Sequence, residues 1–148
     1  MQYEIHAQDG PVVLRPLRRA DAGLILSWLT DPRNLEYWEG PGTVYDMQRV
    51  IEDFYQEEWN ASKCIIVYEG QDVGYVQAYL LDEEMRDEYE YSKAGLKTFG
   101  IDQFIGVPEL WGQGIGRRFV DLLCRYLEEN CGAGAIVPAQ LHPLHLGQ

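Results

Sequence analysis

The chain has 148 residues, of which 46% are apolar and 24% are charged. This composition is typical of one globular domain and excludes a disordered acidic tail. Because 24 acidic residues face 12 basic ones, the net charge is −12, which argues against nucleic acid or an anionic membrane as the main partner and fits a cationic one.

The first part of the chain is predicted to form a strand and two helices. Residues 12–15 (VVLR) are typical of a short strand, and Asp21 is placed to cap a helix that the pair at 31–32 (DP) ends. Thr43 and Asp46 resemble a capping box. A second helix is therefore predicted to start at Thr43, since apolar residues follow at helical spacing.

The rest of the chain is predicted to hold three strands, one long amphipathic helix and a last strand. Their positions are residues 64–68, 73–81, 99–106, 114–130 and 135–137. Residues 69–72 (EGQD) indicate a hairpin between the first two strands, and Pro138 cuts the last strand off. The final strand, helix and strand imply a right-handed parallel crossover. The sequence therefore predicts a single α/β domain over residues 1–148, a sandwich of a mixed sheet and helices.

The cysteines and the N-terminus indicate the compartment. Cys64, Cys124 and Cys131 are odd in number and not clustered, which predicts neither a disulfide framework nor a thiolate metal site. The N-terminus lacks the pattern of a signal peptide, and the longest apolar runs fall far short of the ~20 residues of a membrane span. We therefore expect a cytoplasmic protein whose thiols pack as small apolar groups.

Residues 111–118 (WGQGIGRR) form a glycine-rich segment between a predicted strand and the long helix. Its alternating glycines allow a tight turn and a close approach to a ligand. The N–H groups of the first helical turn then favour an anion. The segment predicts a pyrophosphate site, although a simple turn that starts the helix is the alternative. It is neither a Walker loop nor a dinucleotide fingerprint, because the residue types and the spacing differ.

A family resemblance rests on this segment and on three others. Residues 108–116 (PELWGQGIG) resemble the pyrophosphate loop of the GNAT superfamily of acetyl-CoA-dependent N-acyltransferases, with Trp111 where many members carry Gln or Arg. Residues 37–40 (YWEG), 73–79 (VGYVQAY) and 100–106 (GIDQFIG) narrow the resemblance to the aminoglycoside 6′-N-acetyltransferases, including the acetyltransferase half of a bifunctional aminoglycoside-modifying enzyme. The resemblance extends from about residue 12 to residue 137.

The resemblance implies a GNAT fold with a mixed, mostly antiparallel sheet flanked by helices. It also implies direct transfer of acetyl from acetyl-CoA to the 6′-amine of an aminoglycoside, without a metal, as a resistance mechanism. Backbone N–H groups near Ile105 and Gly106 would polarise the thioester carbonyl. The residues expected to contact the coenzyme are Phe104, Ile105, Gly106, Gly112, Gln113, Gly114, Ile115, Gly116 and Arg117.

Asp102 is the candidate catalytic residue. It lies in an otherwise apolar strand, where a carboxylate must be paired, hydrogen-bonded or facing a cleft. Amine acetylation needs a base, because a protonated amine cannot attack a thioester. The resemblance implies that Asp102 is that base or the group that positions the amine. The alternative is a carboxylate that caps backbone N–H groups at a strand end.

Four residues are candidates for contact with the substrate. Tyr75, Gln77 and Tyr79 alternate and therefore share one sheet face, where they would line a sugar-binding cleft. The alternative places both tyrosines in the core and Gln77 as a satisfied buried polar group. Trp38 lies in a predicted loop, and the resemblance supports stacking on a sugar ring; packing between helices is the alternative.

An acidic segment and the tail complete the expectations. Residues 82–90 contain six acidic residues, which either form a solvated surface or hold a polycation. The tail from about Pro138 lacks the family's continuing pattern, so we expect incomplete C-terminal strands, no candidate acid for the leaving thiolate, and either dimerisation or weakened coenzyme binding. His142 and His145 lack further ligands and predict no metal site.

Two other functions remain open at this stage. One is a GNAT acetyltransferase for another amine or for a protein N-terminus. The other is a module that binds coenzyme A or an aminoglycoside without turnover, because the expected C-terminal segment is absent.

Overall fold

Six strands form one sheet whose spatial order equals their order along the chain. The computed structural model describes residues 4–38, 44–56, 61–81 and 97–138. The strands are β1 (Ala7–Asp9), β2 (Val12–Pro16), β3 (Ala61–Tyr68), β4 (Gln71–Leu80), β5 (Thr98–Ile105) and β6 (Ala135–Pro138). The helices are α1 (Ala22–Leu29), α2 (Pro32–Trp38), α3 (Met47–Phe54) and α4 (Ile115–Asn130).

The sheet is mixed and mostly antiparallel, which confirms the predicted fold class. Each strand from β1 to β5 is antiparallel to the next. β6 is parallel to β5 and is reached through α4, as a parallel pair requires a crossover. The hairpin between β3 and β4 turns on Glu69 and Gly70, which have φ values of 50° and 80°. Such a pair of left-handed residues matches the twist of the two strands.

The helices of the first part differ from the prediction at three points. Pro32 was expected only to end α1, yet it also begins α2, because proline suits the first helical position. The second helix was predicted to start at Thr43, which lies outside the described residues; α3 begins at Met47, and Asp46 caps it by accepting the N–H of Arg49 at 2.8 Å. Asp21 does not cap α1 through its side chain among the described residues. Its carboxylate accepts two hydrogen bonds from the Arg15 guanidinium, both of 2.9 Å.

Two apolar layers cover the two faces of the sheet. On one face, α1, α2 and α3 pack over an aromatic cluster to which the strands contribute Ile65, Tyr75 and Phe104. On the other face, α4 packs over the alternate residues of the same strands, among them Cys64 and Val76. This alternation follows from the two-residue period of a strand. None of the helices in the described ranges is long and apolar enough to cross a membrane.

Candidate functional site

Among the described residues, the parallel pairing of β5 and β6 is short and leaves an opening beside the rest of β5. In the described part of the chain, this pairing ends where Ile101 meets Pro138. The opposite edge of β5 remains bonded to β4 as far as Gly106, whose N–H donates to the Val73 carbonyl at 2.7 Å. Hydrogen bonds alternate along an antiparallel pair, so the N–H groups of Gln103 and Ile105 point away from β4. They therefore point toward the opening.

A cleft of about 210 Å³ lies between this part of β5 and the start of α4. Six residues that the sequence assigned to the coenzyme line it, namely Phe104, Ile105, Gly112, Gly114, Ile115 and Gly116. Gln103, Leu110 and Trp111 complete the lining. The fold thus brings the glycine-rich segment and the end of β5 together around one cavity.

The start of α4 has the geometry of an anion site. Gly112 and Gly114 have φ values of 80° and 77°, a left-handed conformation that favours glycine. Gly114 is the N-cap and carries no side chain that could accept the first N–H groups of the helix, which have no intrahelical acceptors. Those donors and the helix dipole favour a negative group at this end of the cleft.

Two further residues assigned to the coenzyme, Gln113 and Arg117, lie near the cleft without lining it. Arg117 is exposed on the first turn of α4, while the guanidinium carbon of Arg118 lies 5.9 Å from the centre of the Tyr68 ring. Gln113 donates from Nε2 to the Glu109 carbonyl at 3.0 Å. Of the two arginines, Arg117 is therefore the one that faces solvent beside the glycine turn without an aromatic partner among the described residues.

The structure corrects the role expected for Gly106, and it places the side chain of Phe104 in the aromatic core although Phe104 also lines the cleft. Gly106 cannot polarise a thioester, because Val73 accepts its N–H, and its carbonyl accepts a 2.9 Å bond from Asn34. A side chain there would lie 2.4 Å from the Trp28 ring, so close packing is what requires glycine. The Phe104 ring is 2% exposed and lies 5.1 Å from the Trp38 ring, so its side chain belongs to the aromatic core.

Gln103 is a residue that the sequence analysis missed. It lines the cleft, and a Cβ on Gly116 would lie 3.4 Å from its Nε2. Its Oε1 is buried and has no hydrogen-bond partner among the described residues. A buried acceptor is normally satisfied, so Gln103 offers one to a group that enters the cleft. A polar residue on the strand face opposite to Asp102 was the available signal.

Asp102 lies on the other face of the sheet, one residue beyond the end of the β5–β6 pairing. It is 6% exposed and stands directly opposite Gln77 of β4. The Gln77 amide donates to its Oδ2 at 3.0 Å, and the Tyr75 hydroxyl donates to the Gln77 Oε1 at 2.6 Å. The fold therefore places a buried carboxylate directly after the end of the β5–β6 pairing.

The substrate contacts predicted for the aromatic residues do not fit their burial. Trp38 ends α2 and is 0% exposed, with its ring stacked 5.9 Å from Phe54, so it packs between helices. Tyr75 is 0% exposed. Tyr79 is 3% exposed, and its ring lies so close to Gly100 that a Cβ there would be 2.8 Å away. These three rings belong to the core, which agrees with the alternative that they are packing residues.

Several sequence predictions fall outside the described residues. These are the acidic residues of 82–90, the loop that follows Trp38, and the tail from 139, on which the expectations of incomplete strands and dimerisation depend.

In the ranges that are described, no group of three or more His, Cys, Asp or Glu side chains could hold a metal ion. Burial raises the pKa of the Cys64 thiol to about 12, which disfavours the reactive thiolate form.

Solved structures with the same fold include acetyltransferases that are named for different acceptors. The aminoglycoside acetyltransferase AAC(6')-Ib in complex with coenzyme A is 23% identical and has a TM-score of 0.66; the match covers 88% of this chain and 77% of that chain. The same enzyme with paromomycin and acetyl-CoA is 24% identical at a TM-score of 0.66, covering 88% and 76%. A ribosomal-protein-alanine N-acetyltransferase from Brucella melitensis biovar Abortus 2308 is 20% identical at a TM-score of 0.59, covering 86% and 79%.

The family is fixed by a match over most of the chain. Residues 18–138 match the acetyltransferase (GNAT) domain, and this range includes both the glycine-rich cleft and Asp102. The chain therefore belongs to the GNAT family of acetyltransferases.

Proposed function

We propose that this protein transfers the acetyl group of acetyl-CoA to the 6′-amino group of an aminoglycoside in the cytoplasm, and thereby confers resistance. The observation that carries the proposal is the position of Asp102. Its buried carboxylate lies directly after the end of the β5–β6 pairing, and the next residue, Gln103, lines the cleft. The proposed base and the proposed coenzyme site would therefore be adjacent on β5.

The cleft supplies the coenzyme side of the reaction. The glycine turn and the first N–H groups of α4 would bind the pyrophosphate, with Arg117 alongside. Gln103 offers a side-chain acceptor to an amide of the coenzyme. The backbone N–H groups that point into the opening belong to Gln103 and Ile105, so these donors, instead of Gly106, would stabilise the oxyanion that forms on the thioester.

Asp102 supplies the amine side. An ammonium group binds next to the carboxylate by charge attraction and must lose a proton before its nitrogen can attack. The amine then attacks the thioester carbon directly, the bond from carbon to sulfur breaks, and the coenzyme leaves as the thiolate. Asp102 takes the amine proton, and no covalent enzyme intermediate forms.

Charge supports a polycationic substrate. The net charge of −12 attracts a molecule that carries several ammonium groups and raises its local concentration. We include the acidic residues of 82–90 in this role. The AAC(6')-Ib structures supply the analogy, since one of them contains kanamycin and coenzyme A.

A second candidate is the acetylation of a protein N-terminus. It is favoured by the similarity to the ribosomal-protein-alanine N-acetyltransferase, which has a TM-score of 0.59. Both reactions would use the same cleft and the same base, so they differ only in the amine that reaches Asp102.

Release of free thiol from acetyl-CoA would test the proposal with three acceptors. The acceptors are kanamycin, an aminoglycoside with a hydroxyl in place of the 6′-amine, and a peptide with an N-terminal alanine. We expect thiol release with kanamycin alone, together with calorimetric binding of both aminoglycosides. Turnover with the peptide alone would establish the second candidate. Binding of kanamycin without turnover would indicate a module that binds its ligands but does not acetylate them.

A further inference from the structure

A short chain of hydrogen bonds links β4 to β5 on the sheet face that carries the aromatic core. It runs from the Tyr75 hydroxyl to Gln77 over 2.6 Å and from the Gln77 amide to Asp102 over 3.0 Å. Gln77 and Asp102 are direct neighbours across β4 and β5, and Tyr75 lies two residues earlier on the same face. The three side chains are 0%, 0% and 6% exposed.

The chain has a fixed direction. Burial, with smaller contributions from Cys64 and Asp102, raises the pKa of Tyr75 well above its ordinary value, so its hydroxyl keeps a proton to donate. The Gln77 oxygen accepts the hydrogen bond from this hydroxyl, so the Gln77 NH₂ group points toward Asp102. A donor at this position stabilises an ionised carboxylate and disfavours its protonated form.

The chain is also rigid, because its far end is held in the core. The Tyr75 ring lies 4.9 Å from Phe54 and 6.0 Å from Trp38, edge-on to both. A buried glutamine is costly unless both ends of its amide are bonded, and here both are. Rotation of Gln77 would break two buried hydrogen bonds, so its amide holds one orientation against Asp102.

We propose that Gln77 and Tyr75 are positioning residues that hold the Asp102 carboxylate ionised and in one orientation to receive the amine proton. This inference rests on the proposed role of Asp102 as the base. It replaces the expected role of Gln77 and Tyr75 as sugar contacts, since neither side chain reaches the surface.

Other titratable groups face this chain. Lys63 of β3 stands opposite Gln77, and its Nζ donates to the carbonyls of Phe54 at 2.7 Å and Gln56 at 3.2 Å. Tyr79 is the next residue of β4 on the same face. Tyr45 and Tyr55, from the helical side, act on Tyr75 electrostatically. Lys63, Tyr79 and Tyr45 stay unchanged in every variant below, and Tyr55 changes only in the control. A change in Asp102 in the other two variants can therefore be assigned to the chain of hydrogen bonds itself.

The test compares Gln77→Leu and Tyr75→Phe with a matched control. Tyr55→Phe removes a tyrosine hydrogen bond of the same 2.6 Å length, to the carbonyl of Arg18. For each variant we would follow the carboxyl carbon of Asp102 by NMR titration and record the pH dependence of turnover. Thermal unfolding and coenzyme binding report on the fold, and Tyr75→Phe is the milder change if Gln77→Leu folds poorly.

We expect a pH-dependent loss. Removing a donor to the charged form raises the pKa of Asp102, so the acidic limb of the rate profile moves to higher pH. Turnover at neutral pH falls by ~10-fold in Gln77→Leu and by ~3-fold in Tyr75→Phe. Part of this loss is recovered at high pH, while the KM for acetyl-CoA and the control variant stay unchanged.

Two results separate the inference from the proposed function. An equal loss of turnover at every pH, with the Asp102 titration unmoved, would overturn the inference and leave Asp102 as the base. A shifted Asp102 titration in a protein that acetylates none of the amines would mean that Gln77 and Tyr75 do position the carboxylate. The proposed function would then be wrong.

Discussion

The two sides of β5 differ in how far their polar groups are hydrogen-bonded. On the face toward α1 to α3, Asp102 is hydrogen-bonded to Gln77, which is bonded in turn to Tyr75. On the cleft side, Gln103 has a buried acceptor without a partner among the described residues, and α4 begins at a glycine that has no capping side chain. Among the described residues, the Asp102 side is already hydrogen-bonded, whereas the cleft side keeps groups that a ligand could bond.

This contrast implies that the polar groups on one side contribute to folding stability, whereas those on the other side contribute to ligand binding. A preformed polar network contributes to folding and orients its members for the reaction. Donors and acceptors that are left unsatisfied reduce stability and are compensated when a ligand binds. Substitutions on the Asp102 side should therefore change turnover, and substitutions in the cleft should change coenzyme affinity.

Asp102→Asn should have the largest effect. Its amide oxygen still accepts the Gln77 bond, so the fold is retained, but it cannot take a proton. We expect turnover to fall by ~10²- to 10⁴-fold, with the dissociation constant of coenzyme A unchanged. Steady-state kinetics and calorimetry measure the two quantities. Turnover close to that of the wild type would remove Asp102 from the mechanism.

Asp21→Asn tests whether a preformed polar pair away from the cleft is purely structural. Burial raises the pKa of Asp21, but the bonds from Arg15 and Arg18 outweigh it and hold the pKa below its ordinary value of 3.8. The carboxylate therefore stabilises the fold above pH 3.8, and this stability is lost as the pH falls through the lower folded value. We expect the substitution to lower the free energy of unfolding by ~1–3 kcal/mol at pH 7.

Denaturant unfolding at pH 7 and at low pH would measure this effect. The difference between wild type and variant should shrink as the carboxylate is protonated, and turnover per folded molecule should stay unchanged. Asp31→Asn is the control, because its partner Arg33 has a side chain that is 56% exposed, and it should cost less. An equal difference at both pH values would contradict the assignment.

Gly112→Ala and Gly70→Ala form a matched pair that separates strain from binding. Both glycines have a φ of 80°, and an added Cβ would have no heavy atom within 4 Å at either site. Both substitutions should therefore lower the free energy of unfolding by a similar ~1 kcal/mol.

Only Gly112 lines the cleft, so only Gly112→Ala should also weaken coenzyme A binding. We expect a loss of about fivefold, since the bound turn must keep the strained conformation. Differential scanning calorimetry and titration calorimetry would measure the two effects. Equal coenzyme affinities in the two variants would mean that the glycine turn does not hold the coenzyme.

Gln103→Leu should have the smallest effect, and it should change stability and coenzyme affinity in opposite directions. Removal of a buried acceptor that lacks a partner should leave the ligand-free protein equally stable or slightly more stable. Coenzyme A should bind a few-fold more weakly, because it loses an acceptor in the cleft. Thermal unfolding with and without coenzyme A measures both signs. A destabilised ligand-free protein with unchanged affinity would place Gln103 among the structural residues.

Local patterns predicted the elements that depend on neighbouring residues alone. The hairpin at Glu69 and Gly70 and the helix that follows Gly114 were predicted correctly, because turn residues and helical periodicity act over a few positions. The helix that begins at Pro32 was missed, since proline both ends one helix and suits the start of the next. The burial of Trp38 follows from that helix, so the sequence favoured a substrate contact and offered packing between helices only as the alternative.

The sequence by itself determined which residues alternate on one sheet face, where the glycines permit a left-handed turn, and which family's motifs the chain carries. Only the tertiary structure decided that Gln77 stands opposite Asp102, that Gly106 bonds to Val73, and that the tyrosines of β4 point into the core. The reason is that strand register is set by pairing between distant segments and by the helices that cover each face. No local pattern within β4 or β5 contains that information.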